Sequence, residues 1–597
     1  MSPGRTQELL STPPPPAADD VHENTWYNQD FDGYRISESP LFTKRRLRVV
    51  CVGAGASGIQ IAYKAEHALE NIDLQIYEKN GDIGGTWLEN RYPGCTCDIP
   101  SHSYQFTWDR NPNWSNYYSS SEEIWRYMKD VAVRHDLEKY IKFSTKIDSA
   151  LWDEDAGKWK LHAVGPDGAE INDECDILIS ASGVLNSWKY PDIPGLKQYQ
   201  GKLMHSAAWD ESYDLTGKKV AVIGGGSSAI QIIPSIQPKV GKLVAYLRSP
   251  IWITPGYAAK YAGPGGSNFE FSAEQLRKFN EAPEEYDQYC RNVEGELNRR
   301  FAMVHRNSKE QAAAREAAAK AMVQKLNNES LAAALVPDFA LGCRRPTPGP
   351  GYLESLTQDN VQVIHKSVVE LTETGVIDEA GTHQEVDVVI CATGFNTCFT
   401  PHFKLIGRKQ ADIKEQFGDF PVGYLGIAAE NFPNFILLAG PNNPASQGSI
   451  LPIMEWYTRY AFQVIEKVQS EGIKSFEIKP SAVKDLYIHT HELMKRMAWS
   501  SSPLLHPITK PPDVANILLL ACRSWFKNGK THGPVTAVWP GSRLHFFEML
   551  KNVRWEDYNL EYQTGNRFQF MGNGFSGEEL KPDCNPVWYF DDWFVKL

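Results

Sequence analysis

LRVVCVGAGASGIQIAYKAEHAL, residues 47–69, combines a short apolar run rich in β-branched residues, three spaced glycines and a segment with helical apolar spacing. This order predicts a buried strand over Leu47–Val52, a tight turn and the start of a helix. In such a turn Gly53 permits the sharp bend, Gly55 lets a pyrophosphate approach the backbone, and Gly58 lets the helix pack closely on the strand. The N–H groups at the start of the helix then bind phosphate. The segment therefore predicts a dinucleotide-binding α/β unit.

An acidic residue follows this turn at the interval that a dinucleotide site requires. The next predicted strand, Asp73–Tyr77, ends at Glu78, which comes 20 residues after Gly58. A carboxylate at this place binds a hydroxyl of the ribose. Strand, turn, helix and acid together disfavour the alternative, a glycine loop that binds nothing. The nucleotide contacts predicted here are Gly53, Gly55, Ser57, Gly58 and Glu78.

A second turn of the same kind has a different residue at the end of the following strand. A predicted strand over Lys218–Ile223 leads into GGGSSA, residues 224–229, and then into a helical run. The next predicted strand, Leu243–Leu247, ends at Arg248 instead of an acid. A guanidinium pairs with the 2′-phosphate of NADP, which a carboxylate would repel, so NADPH is predicted in preference to NADH. The alternative is a solvated charge at a strand end. The predicted contacts are Gly224, Gly226, Ser227, Ser228, Ala229, Arg248 and Ser249.

Composition narrows the class of protein. The 597 residues are enough for roughly three or four domains. With 61 basic and 73 acidic side chains the net charge is −12, so neither a nucleic acid nor an anionic membrane is an expected partner. The apolar runs are far shorter than the ~20 residues of a spanning helix. Because the N-terminus has no apolar signal region, we expect a cytoplasmic protein.

Motifs for metal or nucleophilic catalysis are not evident. The ten cysteines include one close pair, Cys95 and Cys97. Its spacing fits neither a redox dithiol nor a zinc ribbon, and we interpret both as loop residues. The sequence has no HExxH zinc motif and no Ser-His-Asp pattern with a nucleophile elbow, and we expect no metal. The chemistry is therefore expected to come from bound cofactors.

Two further motifs give the chain a family resemblance. YQGKLMHSAAWD, residues 199–210, matches the pattern FxGxxxHxxxW followed by Pro or Asp, except that Tyr199 replaces Phe. GGTWLENRYPGCTCD, residues 84–98, matches GGxWxxxRYPGxxxD at every defined position. The sequence resembles the type I Baeyer–Villiger monooxygenases over most of its length, from about Arg46 to Tyr558. The resemblance implies FAD in the first site and NADPH in the second.

The resemblance also assigns roles to individual residues. It implies that Arg345 stabilises a peroxide anion and the oxyanion formed on a carbonyl, and that Asp98 places Arg345. The alternative is a buried salt bridge without a catalytic part. Arg344, where the family usually has Lys, is implied as a second phosphate partner. His205 is expected to have a conformational or hydrogen-bonding role in the linker between the nucleotide domains, and a purely structural histidine is the competing interpretation. Further implied cofactor contacts are Thr86, Trp87, Thr96, Asp98, Tyr104, Arg344 and Arg345.

The implied reaction is the NADPH- and O2-dependent oxidation of a ketone to an ester or lactone through a C4a-peroxyflavin. A bulky or cyclic ketone is compatible with the aromatic content of 12%. The expected partners are this ketone and O2, and no protein partner is evident. One alternative is an N- or S-oxygenating flavin monooxygenase, whose fingerprint usually ends in Tyr or Phe where this chain has Trp209 and Asp210. The others are a flavin disulfide reductase, which needs a dithiol near the flavin, and a non-catalytic redox sensor, which needs loss of the oxygenating residues.

The predicted fold class is α/β, with two Rossmann-like dinucleotide-binding domains for FAD and NADP and a helical insertion. The similar strand endings DILISASG, residues 176–183, and DVVICATG, residues 387–394, indicate where the chain leaves and re-enters the FAD domain. The segment at residues 312–326 is rich in helix formers. The predicted divisions are a disordered or extended lead (1–40), an FAD domain (41–186 and 391–597), an NADP domain (187–255 and 338–390) and a helical insertion (256–337). Pocket-lining candidates are Trp252, residues 255–337 and residues 440–448.

Overall fold

The computed structural model describes residues 29–444, 446–500, 523–531, 533–587 and 590. The strands are β1 Leu47–Val52, β2 Ile72–Tyr77, β3 Ile141–Lys142, β4 Lys146–Asp153, β5 Lys158–Val164, β6 Glu170–Cys175, β7 Ile177–Ser180, β8 Lys202–His205, β9 Lys219–Ile223, β10 Lys242–Tyr246, β11 Ile253–Thr254, β12 Thr347–Pro348, β13 Val361–Ile364, β14 Val368–Leu371, β15 Gly375–Asp378, β16 His383–Glu385, β17 Val388–Cys391, β18 Lys404–Ile406, β19 Phe435–Leu437, β20 Ile473–Ile478 and β21 Tyr558–Tyr562. The helices are α1 Ala56–Ala68, α2 Thr86–Glu89, α3 Ser121–Arg134, α4 Ser227–Ile236, α5 Ala273–Glu281, α6 Pro283–Asn298, α7 Lys309–Leu326, α8 Glu329–Leu335, α9 Tyr352–Ser355, α10 Ile413–Phe417, α11 Ile450–Ser470, α12 Pro480–Met494 and α13 Arg543–Leu550.

The first glycine turn lies in a five-stranded parallel sheet with the strand order β19-β7-β1-β2-β3. Strand β1 is central, with Leu47 opposite Ile72 of β2 and Val49 opposite Ile177 of β7. Parallel neighbours need a crossover connection, and α1 provides it between β1 and β2. The residues of β1 are largely apolar because helices and loops cover both faces of a parallel sheet.

The second glycine turn lies in a separate five-stranded sheet with the order β13-β10-β9-β17-β8, and its paired strands are also parallel. Val220 of β9 lies opposite Leu243 of β10 and Val388 of β17. Strand β17 ends at Cys391, so the predicted boundary between residues 390 and 391 cuts a strand. The chain rejoins the first sheet only at β19.

The predicted helical insertion, residues 256–337, is helical only from Ala273 onward. Residues 256–272 form turns and irregular backbone around a short 3-10 turn at Pro264–Gly266. The prediction was wrong for this part because its glycines and proline favour turns over helix.

The insertion joins the cores of both nucleotide domains. Met322 and Leu326 of α7 pack in the same apolar cluster as Ile230 of α4. Val293 and Leu297 of α6 pack in the cluster around the first sheet. The helices of the insertion therefore take part in the apolar cores of both nucleotide domains.

The predicted N-terminal lead falls partly outside the described residues, which begin at residue 29. Residues 29–40 have irregular backbone. Ser39 O accepts a hydrogen bond from Asn573 N at 3.0 Å, and Leu41 N donates one to Phe575 O at 2.8 Å. The end of the lead thus lies against the C-terminal part of the chain. Among the described helices, none has the length and apolar character needed to cross a membrane.

Candidate active site

The first glycine turn has the geometry that its sequence demands. Gly53 has a φ of +110°, and a Cβ there would lie 2.7 Å from Ala181 O. A Cβ on Gly58 would overlap with Gly53 O, so only glycine allows α1 to approach the turn this closely. Helix α1 begins after Gly55, and no side chain caps its first N–H groups. These groups, together with Ser57 in the first helical turn, remain for a phosphate.

Glu78 holds the first turn to the end of β2. Its carboxylate accepts hydrogen bonds from the N–H groups of Ala54 and Asn80, both at 2.8 Å, and the residue is only 4% exposed. Burial raises the pKa of Glu78 above its ordinary value, although the two backbone bonds act in the opposite direction. Each carboxylate oxygen has a further lone pair, and the bond to a ribose hydroxyl stays a prediction.

Residues 84–98 fold over the first turn. A Cβ on Gly85 would lie 3.1 Å from Gly55 Cα, so two turns without side chains meet at this point. Helix α2 begins at Thr86, and Trp87 Nε1 donates a hydrogen bond to Tyr104 OH at 3.0 Å. Bare backbone next to an uncapped helix start suits a pyrophosphate. The residues present therefore fit FAD, which Thr86, Trp87 and Tyr104 would help to hold.

Asp98 and Arg345 form a two-bond ion pair. Arg345 Nη2 donates to Asp98 Oδ1 at 2.7 Å, and Arg345 Nε donates to Asp98 Oδ2 at 3.2 Å. The guanidinium also lies over the ring of Tyr257, 5.6 Å from its centroid. Burial is the largest single influence and disfavours the charge, but Asp98, Tyr257 and Cys97 together outweigh it and raise the pKa of Arg345 above its ordinary value. Arg345 is therefore a permanent cation whose orientation Asp98 fixes.

The second glycine turn repeats the design of the first. Gly224 has a φ of +126°, and a Cβ there would overlap with Ala392 O. Helix α4 begins after Gly226 without a side-chain cap, and no atom of the described residues lies within 4 Å of a Cβ built on Gly226. Ser227 and Ser228 occupy the first turn of α4, with Ala229 buried behind them. This open backbone fits a second pyrophosphate.

Four basic side chains gather beside the second turn: Arg248, Arg344, Arg523 and Lys527, which we call the cation cluster. Arg248 is exposed at the end of β10. Arg344 donates to Pro250 O at 3.2 Å and to Arg523 O. Burial, then Arg248 and Arg523, lowers the pKa of Arg344 to about 10. Burial, then Arg344, lowers the pKa of Lys527 to about 8.

Within the described ranges no ion pair joins a member of the cation cluster to a carboxylate. Positive groups that repel one another and lack an acidic partner fit a dianionic phosphate. The sequence reasoning found Arg248 and Arg344 but missed Arg523 and Lys527. Their only sequence signal is a basic run near the C-terminus, which does not show where it folds.

His205 lies in the linker strand β8, and its described side-chain contacts are with residues other than Asp98 and Arg345. It is fully buried, its Nδ1 accepts a hydrogen bond from Ala207 N at 3.1 Å, and its Nε2 lies 3.2 Å from Thr393 Oγ1. The ring of Trp188 stacks on it at 4.5 Å. Burial lowers the pKa of His205. Because Nδ1 accepts a hydrogen bond, the neutral ring carries its proton on Nε2 and donates it to Thr393 in the loop after β17. His205 therefore connects the linker to this loop, which fits a conformational and hydrogen-bonding role.

A cavity of about 490 Å³ opens beside Arg345. The helices of the insertion and the loop at residues 446–448 form its walls, as the sequence reasoning expected for those segments. Arg300 donates to Glu296 Oε1 at 3.0 Å on this wall, and the buried Ser446 hydroxyl has no hydrogen-bond partner among the described residues. Apolar lining residues are Leu297, Phe301, Met303, Val304, Trp499 and Phe526.

Trp252 was wrongly expected to line the pocket. It is 1% exposed, belongs to the core around α4, and donates from Nε1 to Phe339 O at 3.1 Å. Its large apolar ring is used in packing the second sheet against the segment that follows the insertion.

Comparison with known proteins identifies flavin-binding monooxygenases as relatives of this chain. Residues 46–258 match the flavin-binding monooxygenase-like family. The chain is 40% identical to the FAD-binding monooxygenase tazF of Aspergillus terreus, over 93% of this chain and 96% of that protein. It is 30% identical to a Baeyer–Villiger monooxygenase of Streptomyces coelicolor, over 86% of this chain and 92% of the relative. The closed crystal structure of cyclohexanone monooxygenase superposes with a TM-score of 0.72 at 24% identity, covering 87% of this chain and 100% of the other.

A flavin-dependent monooxygenase with two dinucleotide sites is the class that this fold and site define. The chain belongs to the type I Baeyer–Villiger monooxygenase family. It is an FAD-dependent enzyme. The expected α/β fold with two dinucleotide-binding domains is confirmed.

Proposed function

We propose that the protein catalyses the NADPH- and O2-dependent Baeyer–Villiger oxidation of a ketone to an ester or lactone. The observation that supports this reaction best is the Asp98–Arg345 pair on the wall of the large cavity. NADPH would supply the reducing equivalents, and bound FAD would pass them to O2 and so activate it. The protein has to supply electrostatic stabilisation where negative charge develops.

Arg345 meets that requirement in this proposal. Its charge is permanent because Asp98 raises its pKa, and it lines the cavity in which the carbonyl would lie. Two hydrogen bonds to Asp98 limit its rotation, so the cation is oriented before the reaction begins. A preorganised cation of this kind stabilises an oxyanion without reorganisation during the reaction.

The cavity supports a bulky or cyclic ketone as substrate. Its volume of about 490 Å³ and its largely apolar wall suit a ring system. Arg300 and the Ser446 hydroxyl, which has no hydrogen-bond partner among the described residues, add hydrogen-bond donors at the same wall. A donor without a partner in an apolar site favours a ligand with a matching oxygen. We therefore place a ketone with an additional hydroxyl or carboxyl group among the preferred substrates.

The proposed division of the chain follows the two sheets. Residues 41–186 and the part after Cys391 would hold FAD, because β1, β2, β7 and β19 share the first sheet. Residues 187–255 and 338–391 would hold NADPH, because β8, β9, β10, β13 and β17 share the second. The helices between Ala273 and Leu335 would cover the substrate.

The experiment supplies the purified holoenzyme with NADPH, ¹⁸O2 and separate panels of ketones, amines and sulfides. One labelled oxygen in an ester or lactone supports the proposal. Labelled N-oxide or sulfoxide without ester would instead support the N- or S-oxygenating alternative. The disulfide reductase alternative lacks support because Cys95 and Cys97 are separate free thiols whose pKa burial raises.

The Arg345→Ala variant tests the role of the cation. Ester formation should fall by about 10²- to 10³-fold, the usual loss when one oxyanion-stabilising group is removed, while NADPH still reduces the flavin. Arg408→Ala is the matched control, because Arg408 pairs with Glu477 at 2.7 Å and does not line the cavity. Ester formation at a near wild-type rate in Arg345→Ala would refute this assignment.

A further inference from the structure

A hydrogen-bonded contact joins the FAD-binding segment 84–98 to helix α4 of the NADP domain. The Tyr92 hydroxyl donates to Gln231 Oε1 at 2.9 Å. Gln231 Nε2 donates to Thr96 O at 2.9 Å and contacts Thr96 Oγ1 at 3.2 Å. The segment 84–98 therefore binds both ends of the Gln231 amide, although Gln231 belongs to the other domain. The sequence reasoning expected Thr96 to contact FAD and did not find this contact.

The two backbones also approach closely at this contact. Gly94 has a φ of +77°, and a Cβ there would lie 2.7 Å from Gln231 O and overlap with Ser235 Oγ. Any side chain at position 94 would push the segment away from α4. Burial raises the pKa of the Tyr92 hydroxyl above its ordinary value, so it keeps the proton that it donates.

The contact lies between the two nucleotide sites. Gln231 comes five residues after Gly226, where α4 begins with its uncapped N–H groups. Thr96 comes two residues before Asp98, which orients Arg345. A shift of α4 relative to segment 84–98 would therefore move the NADP phosphate site relative to both FAD and Arg345.

We propose that Gln231 is a positioning residue that sets the placement of the nicotinamide nucleotide against the flavin. The Gln231 amide accepts one hydrogen bond from Tyr92 and donates another to Thr96, and together these fix both the distance and the rotation of α4 against the FAD-binding segment. Rates of transfer between bound reactants fall steeply when the reacting groups are misplaced. This inference rests on the proposed function only in requiring that the protein binds FAD and NADPH. It does not require a particular substrate, because NADPH reduces the flavin without a ketone.

The Gln231→Met variant tests this role, because methionine has a similar length and cannot make these hydrogen bonds. We expect the rate of anaerobic flavin reduction at saturating NADPH to fall by about 10- to 100-fold, as for a small misplacement of reacting groups. The Kd for NADP⁺, measured by calorimetry on the FAD-loaded protein, should change little. Tyr92→Phe removes the hydroxyl bond and leaves the bonds to Thr96, so it should give a smaller loss of rate.

Hydrogen–deuterium exchange gives a readout independent of turnover. NADP⁺ should slow exchange in residues 91–98 of the wild-type protein and should not do so in Gln231→Met. Gln237→Met is the matched control, because Gln237 lies at the end of the same helix and donates to Asn360 Oδ1 at 2.8 Å within its own domain. This control should keep the wild-type rate of reduction and the wild-type protection.

Wild-type reduction together with wild-type protection of residues 91–98 in Gln231→Met would overturn the inference. An equal loss of rate in Gln237→Met would also overturn it, because the effect would then be general to α4. If Gln231→Met does not retain FAD, the Tyr92→Phe variant serves as the test instead. An unchanged rate of flavin reduction and an unchanged exchange pattern in Tyr92→Phe would refute the positioning role of Gln231. Normal flavin reduction without ester from any ketone in the wild-type enzyme would count against the proposed function and leave this inference intact.

Discussion

Replacement of Arg344 by methionine should lower the preference of the enzyme for NADPH over NADH. Arg344 is the member of the cation cluster with neighbours on both sides, since Arg248 and Arg523 both act on its charge. Its protein hydrogen bonds that the structure describes go to the carbonyls of Pro250 and Arg523. A bound phosphate stabilises a partly buried guanidinium beside other cations more than it stabilises an exposed arginine.

The magnitude follows from the pKa of Arg344 and the strength of charged hydrogen bonds. Burial and the neighbouring cations lower this pKa from 12.5 to about 10. At ~1.4 kcal/mol per pKa unit, holding the charge there costs roughly 3 kcal/mol. A dianionic phosphate offsets this cost, and a hydrogen bond to a charged group contributes ~1.5–3 kcal/mol. We therefore expect Arg344→Met to raise the KM for NADPH by about 10- to 100-fold.

Steady-state kinetics with each nucleotide measures the effect. The kcat should change little, because the 2′-phosphate is remote from the reacting nicotinamide, and kcat/KM for NADH should stay constant. The melting temperature should not fall, since the variant loses a desolvated cation. Arg277→Met on α5 is the control, because Arg277 is exposed and pairs with Glu281 at the protein surface. An unchanged ratio of kcat/KM for NADPH and NADH would refute the assignment of the cation cluster.

Three further predictions concern Lys527 and Arg300. The pKa of Lys527 is lowered from 10.5 to about 8 in the folded protein, so the unfolded chain binds more protons between these values and stability should rise with pH across that window. Thermal melts of the wild type and Lys527→Met from pH 7 to pH 10 check this, and parallel curves would contradict it. NADPH affinity should fall across the same window as the amine loses its charge. Arg300→Met should lower kcat/KM about 10-fold for ketones with a hydroxyl or carboxyl group and spare apolar ketones; an equal loss for both would exclude substrate recognition by Arg300.

The strands next to the glycine turns were predictable to within one residue. The predicted strand over Lys218–Ile223 begins at Lys219, and the one over Leu243–Leu247 covers Lys242–Tyr246. These elements depend on local patterns, namely apolar runs, glycine spacing and helical periodicity, which short-range sterics convert directly into backbone conformation. The turns at the start of the insertion were missed because residues 312–326 are rich in helix-forming residues. The helical prediction from this stretch was extended to the whole insertion, residues 256–337.

Residues of the candidate site were predictable only where they belong to a recognisable sequence motif. Asp98 and Arg345 were expected to pair, and the structure brings them together across 247 residues of sequence. Tyr92 and Gln231 are 139 residues apart in the sequence, and no sequence motif predicts their contact. Arg523 and Lys527 likewise enter the cation cluster only through folding of the C-terminal part against the NADP domain.

Local sequence alone thus determined the two nucleotide-binding units and the family, and it predicted a preference for a phosphate-bearing nucleotide. Each of these depends on residues that are neighbours in the chain and whose chemistry is read from type and spacing. Only the tertiary structure decided how the two units are joined, which cations meet beside Arg344, and which wall of the cavity carries Arg300 and Ser446. These features depend on packing between distant segments, where burial and mutual charge set the environment of each group, and sequence spacing carries no information about such distances.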